Sequence, residues 1–262
     1  MSKPDKKILN VINQLYRFRS VIPANLTIKK VKEVWGIALK RKQLVKVLEP
    51  RKNIIEKKIE IARESMDVFL LPAFIKFIGV SGSVASEFAK KEDDIDLFIV
   101  TKNDTVWIYR LLLYIKNLFS KKIRSKGDKK VENKFCINFL VEERALEFED
   151  DIFNLNELLY LKPLYKEKYL SIIYLNNSWL KDKYFVSNNF LNKESIKVGD
   201  IKNLKKRKYL LTVINFLAFI MQFVYMFIRN HQPDLKRLLK GFKKGRVEFY
   251  PKSFKEKKLK NL

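Results

Sequence analysis

Val80-Ser81-Gly82-Ser83, ten further residues, and then Asp94-Ile95-Asp96-Leu97 form the stretch on which the reading of this chain turns. Ahead of it, Phe74-Ile75-Lys76-Phe77-Ile78-Gly79-Val80 is a short apolar run that predicts a strand. A second strand is predicted over Asp94 to Val100, with a turn and a short helix between the two. On a strand, residues i and i+2 share a face, so Asp94 and Asp96 stand together, roughly 6–7 Å apart along the backbone. Ile95, Leu97 and Ile99 point the other way, into a core. Two carboxylates held side by side repel unless a cation sits between them. Hard oxygen ligands of this kind suit magnesium, which also takes phosphate oxygens from a nucleotide. Gly82-Ser83, between strand and helix, offers backbone N–H groups, a hydroxyl and a positive helix end to phosphates. Glycine there lets the backbone approach the phosphate closely. A Gly-Ser turn and an Asp-x-Asp pair are each common alone. Their order on a strand-helix-strand frame is what gives them weight.

Working outward, the chain predicts further elements on both sides. Ile8, Leu9, Val11, Ile12 and Leu15 are spaced as one helix face, Val21 to Asn25 breaks the pattern, and Leu26-Thr27 opens a second helix holding Val31, Val34 and Trp35. With the basic Lys40-Arg41-Lys42 behind them, these helices suggest a small helix-turn-helix or winged-helix module over residues 1–50. One long helix is predicted over Asn53 to Phe69, closed by Pro72. After the Asp94 strand come a helix rich in Trp107 and Leu111 to Leu113, a basic loop over Lys121 to Lys134, and a third strand over Phe135 to Val141. A nucleotide-binding core over 51–165 and a basic helical region over 166–262 complete the expected division. The alternation of strand and helix gives an α/β or α+β mixed sheet with flanking helices.

Composition narrows the chemistry. The single cysteine, Cys136, excludes a disulfide framework, and the single histidine, His231, excludes a zinc site of several Cys or His ligands. A Ser-His-Asp triad would have to use His231, which stands in a polar turn beside Pro233 without a nucleophile motif nearby. Met1 to Lys7 is polar and Ile8 to Leu15 is too short for the apolar core of a signal peptide, so a cytoplasmic location is expected. Residues 1–50 carry 12 Lys/Arg against 3 Asp/Glu, and residues 201–262 carry 17 against 3, around a nearly neutral centre. Basic ends suit a polyanion partner, although lysine filling solvated faces gives the same count. Tyr209 to Ile228 is 20 residues without a charge. Its length would cross a membrane and anchor the protein there, but Thr212, Asn215 and Gln222 fall near one helical stripe and favour a buried core helix. A helix at a subunit interface or lying on a membrane is the further alternative.

Val80 to Leu97 resembles the signature of the DNA-polymerase-β-like nucleotidyltransferase superfamily, a hydrophobic residue and Gly-Ser followed by Asp-hydrophobic-Asp-hydrophobic. The resemblance implies that Asp94 and Asp96 hold magnesium and that Gly82 and Ser83 hold a nucleoside triphosphate. A hydroxyl acceptor would attack the α-phosphorus in line, with pyrophosphate leaving. The similarity extends to a prokaryotic group with a helix-turn-helix-like segment ahead of this domain. It rests there on Lys134 to Leu140, Asn156-Glu157-Leu158, Lys162 to Tyr165, Asn177-Ser178-Trp179 and Phe249 to Lys252. In that group the helix matching Tyr209 to Ile228 is soluble, so a membrane partner is not expected.

One position departs from the superfamily pattern. A third carboxylate usually stands on the strand that here reads Cys136 to Val141, and its place is taken by Asn138. An amide offers a neutral oxygen and takes no proton. Alternation puts Cys136, Asn138 and Leu140 on one face, with Glu142 and Glu143 at the strand end as substitutes if the chain turns back. Asn138 therefore stands as the third catalytic position, and two functions stay open. The first is a magnesium-dependent nucleotidyltransferase acting on a nucleic acid, a protein or a small molecule. The second is a weakly active or inactive binding module that reads nucleotides or nucleic acid. In the basic loop, Lys121-Lys122-Ile123-Arg124 with Lys129 and Lys130 is either solvated or steers an anionic partner toward the site.

Overall fold

A computed structural model describes residues 3–19, 26–38, 51–125, 127–192, 209–228 and 234–248. The expected features at Val21 to Asn25, Lys40 to Lys42, His231 and Phe249 to Lys252 lie outside them. Among the described residues the sheet has five strands: β1 Ile75–Val80, β2 Ile95–Thr101, β3 Phe135–Glu142, β4 Lys162–Tyr165 and β5 Arg246–Glu248. Their spatial order is β4-β1-β2-β3-β5. β2 and β3 run parallel and the other neighbours antiparallel, so this is the expected mixed sheet with flanking helices.

The parallel pair needs a crossover, and the Val106–Ser120 helix supplies it. Tyr109 and Trp107 are buried on that helix, and Phe69 packs edge-on against Phe135 at 4.9 Å beneath it. The opposite face of the sheet places Phe98 against Phe139 at 5.1 Å and against Phe148 at 5.7 Å. β1 and β2 are central and covered on both faces, which explains their near-continuous apolar sequence.

Several expected boundaries move. The predicted helix over 53–69 is two, Lys52–Glu64 and Met66–Phe69, broken at Ser65, whose hydroxyl accepts from Lys122 Nζ at 3.2 Å. β2 begins at Ile95, so Asp94 is the last residue of the preceding loop. The alternation expected along β3 fails, because Leu97 pairs with Ile137 but Phe98 with Phe139. Asn138 is the extra residue of a bulge. Beyond it Phe139 joins the Phe98 face and Leu140 pairs with Ile99, so Leu140 does not share a face with Cys136.

The two N-terminal helices, Lys3–Arg19 and Ile28–Trp35, pack into the same apolar core as the rest of the chain. Thr27 caps the second through its hydroxyl, which accepts Lys30 N–H at 3.1 Å, and Gly36 ends it in a left-handed conformation. Trp35 Nε1 donates to the Tyr184 carbonyl at 2.8 Å, fastening this helix to the segment after the short Trp179–Asp182 helix.

The Tyr209–Ile228 helix is not a buried core helix. Only Asn215, Ala218, Phe219 and Gln222 are buried, and they form one stripe against the Val106–Ser120 helix. Asn215 Oδ1 accepts from the N–H groups of Trp107 at 2.8 Å and Ile108 at 3.2 Å, and Glu142 Oε1 accepts from Thr105 and Val106 at 3.2 and 3.3 Å. The first-turn donors of the crossover helix, which have no partner inside the helix, are thus satisfied from two distant parts of the sequence. Gln222 continues the stripe, accepting from Arg110 at 2.6 Å and donating to the Trp107 carbonyl at 2.8 Å.

Candidate active site

The Gly-Ser turn and the aspartate pair meet at the ends of β1 and β2. Ser81 N–H donates to the Asp96 carbonyl at 2.9 Å, tying the turn to the strand. Gly82 follows at φ +62°, a left-handed conformation, and a β-carbon there would collide with the Asp96 carboxylate. Glycine is therefore required by the approach of Asp96 as well as by the backbone angle. Ser83 is half-buried beside it and its carbonyl accepts from Phe88 and Ala89, which closes the turn.

Asp94 is positioned from behind by a buried lysine. Lys58 Nζ donates to the carbonyls of Lys91 at 3.0 Å and Asp93 at 2.7 Å, and to Asn133 Oδ1 at 3.0 Å. Burial lowers the Lys58 pKa, opposed by the charge of Asp93 and other acids close by. One side chain thus fixes the loop leading into β2 and the loop leading into β3.

Ligand atoms of Asp94, Asp96 and Cys136 all lie within 4.8 Å of one another. The carboxyl of Asp96 is held well above the usual range, first by burial and then by the negative charges of Asp94 and Glu157. Side-chain hydrogen bonds from Cys136 and Asn138 act in the opposite direction. Burial pushes the Cys136 thiol up to about 12, with Asp96 and Asp94 adding to it. A neutral thiol is a poor ligand for a hard cation, so the pair that fits magnesium is Asp94 and Asp96, with the Asn138 amide next to them. Arg124 Nη1 donates to Asp94 Oδ2 at 2.7 Å. The basic loop is accordingly not wholly solvated: Arg124 reaches the aspartate pair, while Lys134 pairs with Asp128 inside the loop.

Glu157, on the Ile152–Tyr160 helix, is buried over the turn, and its Oε2 accepts Gly82 N–H at 3.2 Å. Burial raises this carboxyl to about 7, with the Gly82 hydrogen bond pulling it down. The nucleotidyltransferase domain family matches residues 59–208, more than half of the chain, and the match contains Gly82, Asp94, Asp96, Asn138 and Glu157. The chain belongs to this family. It is a nucleotidyltransferase-domain protein of the polymerase-β-like superfamily, as the Gly-Ser and Asp-x-Asp signature implied. No curated protein and no solved structure matches the chain.

Glu142 and Glu143 do not supply the acid of this nucleotidyltransferase domain. Cys136 pairs with Asp96 but Glu142 pairs with Thr101, six residues up a strand that rises about 3.3 Å per residue. Glu142 is committed to the crossover helix and to Arg144 Nε at 2.7 Å, and Glu143 to Tyr169 and Lys76. The sequence offers Glu157 only within the resembling piece Asn156-Glu157-Leu158 and gives it no role at the site, since it stands 61 residues beyond Asp96 on another element. Sequence reading also missed the contact of Arg124 with Asp94 and the anchoring by Lys58, whose charge is invisible as a buried group among so many lysines.

Proposed function

We propose that this protein transfers a nucleoside monophosphate from a nucleoside triphosphate to a hydroxyl acceptor, with magnesium as cofactor and pyrophosphate as the other product. The observation that carries this reading is the convergence of Asp94 and Asp96 behind a glycine turn into which no side chain fits. Asp94 and Asp96 would hold the metal, which when bound neutralises charge on the triphosphate and the attacking oxygen. Ser83 offers its backbone and hydroxyl to the phosphates, and Gly82 lets them come close. Asn138 orients Asp96 through its hydrogen bond and contributes a neutral oxygen where the superfamily carries an acid. Arg124 occupies the place of a cation at Asp94 until one arrives. An exposed ion pair of that kind contributes only about 0–1 kcal/mol, so its displacement costs little. A nucleotide substrate and a single unpaired cysteine suit a cytoplasmic enzyme, and the basic ends suit a macromolecular acceptor such as RNA or an acidic protein.

Asn138 favours a second reading, a binding module that retains the triphosphate without turning it over. The two separate in one experiment. The purified chain is incubated with each α-labelled nucleoside triphosphate, magnesium and a cell extract, beside Asp96→Asn. Label on an acceptor with release of pyrophosphate, lost in Asp96→Asn, is the expected result. Triphosphate binding without label in either protein sinks the transferase reading and leaves the binding module.

A further inference from the structure

The Tyr209–Ile228 helix grips the domain with one stripe, and among the described residues much of its remaining circumference is uncovered. Leu210, Leu217, Met221, Phe227 and Ile228 are each more than half exposed, and Phe119 on the neighbouring helix is 85% exposed. At 1.5 Å per residue the 20-residue helix presents an apolar ridge about 30 Å long. A soluble surface seldom leaves so much contiguous apolar area without a partner.

Three observations decide what covers it. First, Asn215 and Gln222 are spent on the crossover helix, with Arg110 held between Gln222 and the Trp107 ring. Drawing this helix across a bilayer would break those bonds in hydrocarbon, so the helix lies on a surface rather than spanning one. Second, the apolar ridge is bordered by positive charge. Phe242 of the Leu235–Lys244 helix packs on Phe216 and Phe219, each at 5.4 Å, and fixes beside the ridge a helix on which Lys236, Lys240, Lys243 and Lys244 are exposed. Third, residues 201–262 hold 17 Lys/Arg against 3 Asp/Glu, with Lys205-Lys206-Arg207-Lys208 and Arg229 next to the two ends of the ridge in sequence.

We propose that this face seats on an anionic lipid surface, with the apolar ridge in the interfacial layer and the lysines on the headgroups. Apolar area ringed by lysine is the pairing that an anionic leaflet complements. A second copy of the chain placed face to face would instead bring two strongly basic segments together. Docking here leaves the Gly82 and Asp96 turn free, because that site stands at the strand ends while the ridge lies behind the crossover helix. The inference stands whether or not the site transfers a nucleotide.

The full chain is sedimented with phosphatidylcholine vesicles, with and without phosphatidylserine, beside the double substitution Leu217→Glu/Met221→Glu. Retention on phosphatidylserine vesicles, several-fold weaker retention on pure phosphatidylcholine, and release by high salt are expected. The double variant keeps its circular dichroism and melting temperature and loses retention. The proposal is overturned if the double variant is retained like wild type. It also falls if wild type is not retained on phosphatidylserine vesicles; a wild-type dimer and a monomeric double variant in light scattering would then assign the ridge to a second copy. Retention that resists both salt and an alkaline wash would show a spanning segment and overturn it as well.

Discussion

The Glu157 carboxylate accepts the backbone N–H of Gly82 at 3.2 Å, while Gly82 itself is pressed against the carboxylate of Asp96. A residue from a late helix thus holds the turn that the early motif supplies. The arrangement puts a buried acid against a left-handed glycine at the same place where the phosphates would lie in the proposed reaction.

Glu157 gives the protein a pH-dependent stability of defined sign. Its carboxyl titrates at about 7 when folded, against 4.5 for an unshifted glutamate. Between those values the folded state keeps a proton that the unfolded state has released, so folding is favoured at the acid end and loses stability as pH rises to 7. The loss reaches about 3 kcal/mol at most. Glu157→Gln keeps an acceptor for Gly82 N–H and removes the titration. Urea unfolding at about pH 5 and about pH 8 should show wild type falling relative to Glu157→Gln, and parallel curves would contradict it.

Gly82→Ala meets two penalties. The left-handed backbone alone costs about 1–2 kcal/mol for a residue with a β-carbon, and that atom also displaces the Asp96 carboxylate. The variant should melt lower than wild type and lose the thermal stabilisation given by magnesium with nucleoside triphosphate. A stabilisation equal to that of wild type would show that Asp96 and the turn are not coupled as described.

Lys58→Met should destabilise the protein far more than an ordinary surface lysine substitution. It removes three part-buried hydrogen bonds, to the carbonyls of Lys91 and Asp93 and to the Asn133 amide oxygen, each worth about 0.5–1.5 kcal/mol. Because these groups precede Asp94, magnesium affinity should fall with stability. Hydrogen exchange localised to residues 90–95 and 131–135 would report the loosened loops.

Arg124→Ala tests the placeholder at Asp94. The pair is partly solvated, so unfolding free energy should change by no more than about 1 kcal/mol. Removing the competing cation should lower the magnesium concentration needed for half-saturation, read by calorimetry in the presence of a non-hydrolysable triphosphate. A higher requirement would mean that Arg124 assists the bound state.

Asn138→Asp restores a carboxylate beside Asp96. Without metal, three acids crowd one another and the melting temperature should fall. Magnesium should recover it, and nucleotidyl transfer should rise above wild type. Destabilisation that magnesium does not relieve would show that Asn138 does not face the metal position.

Much of this protein was written locally. The apolar runs at 75–80 and 95–101, the Gly-Ser turn and the Asp-x-Asp pair identify the fold family because strand alternation and a tight turn depend on neighbours in sequence. Thr27 and Gly36 likewise mark the ends of their helix through contacts within one turn. What the sequence could not give are the contacts that close over long separations. The bulge at Asn138 exists only because β3 pairs with β2, and it moves Leu140 off the face that simple alternation assigned to it. Glu142 reads as a spare acid, yet it caps the crossover helix together with Asn215, 73 residues later. Glu157, Arg124 and Lys58 reach the turn and the aspartate loop from three different elements. A buried charge is recognisable only by what surrounds it, and in this chain the surroundings are assembled by tertiary packing.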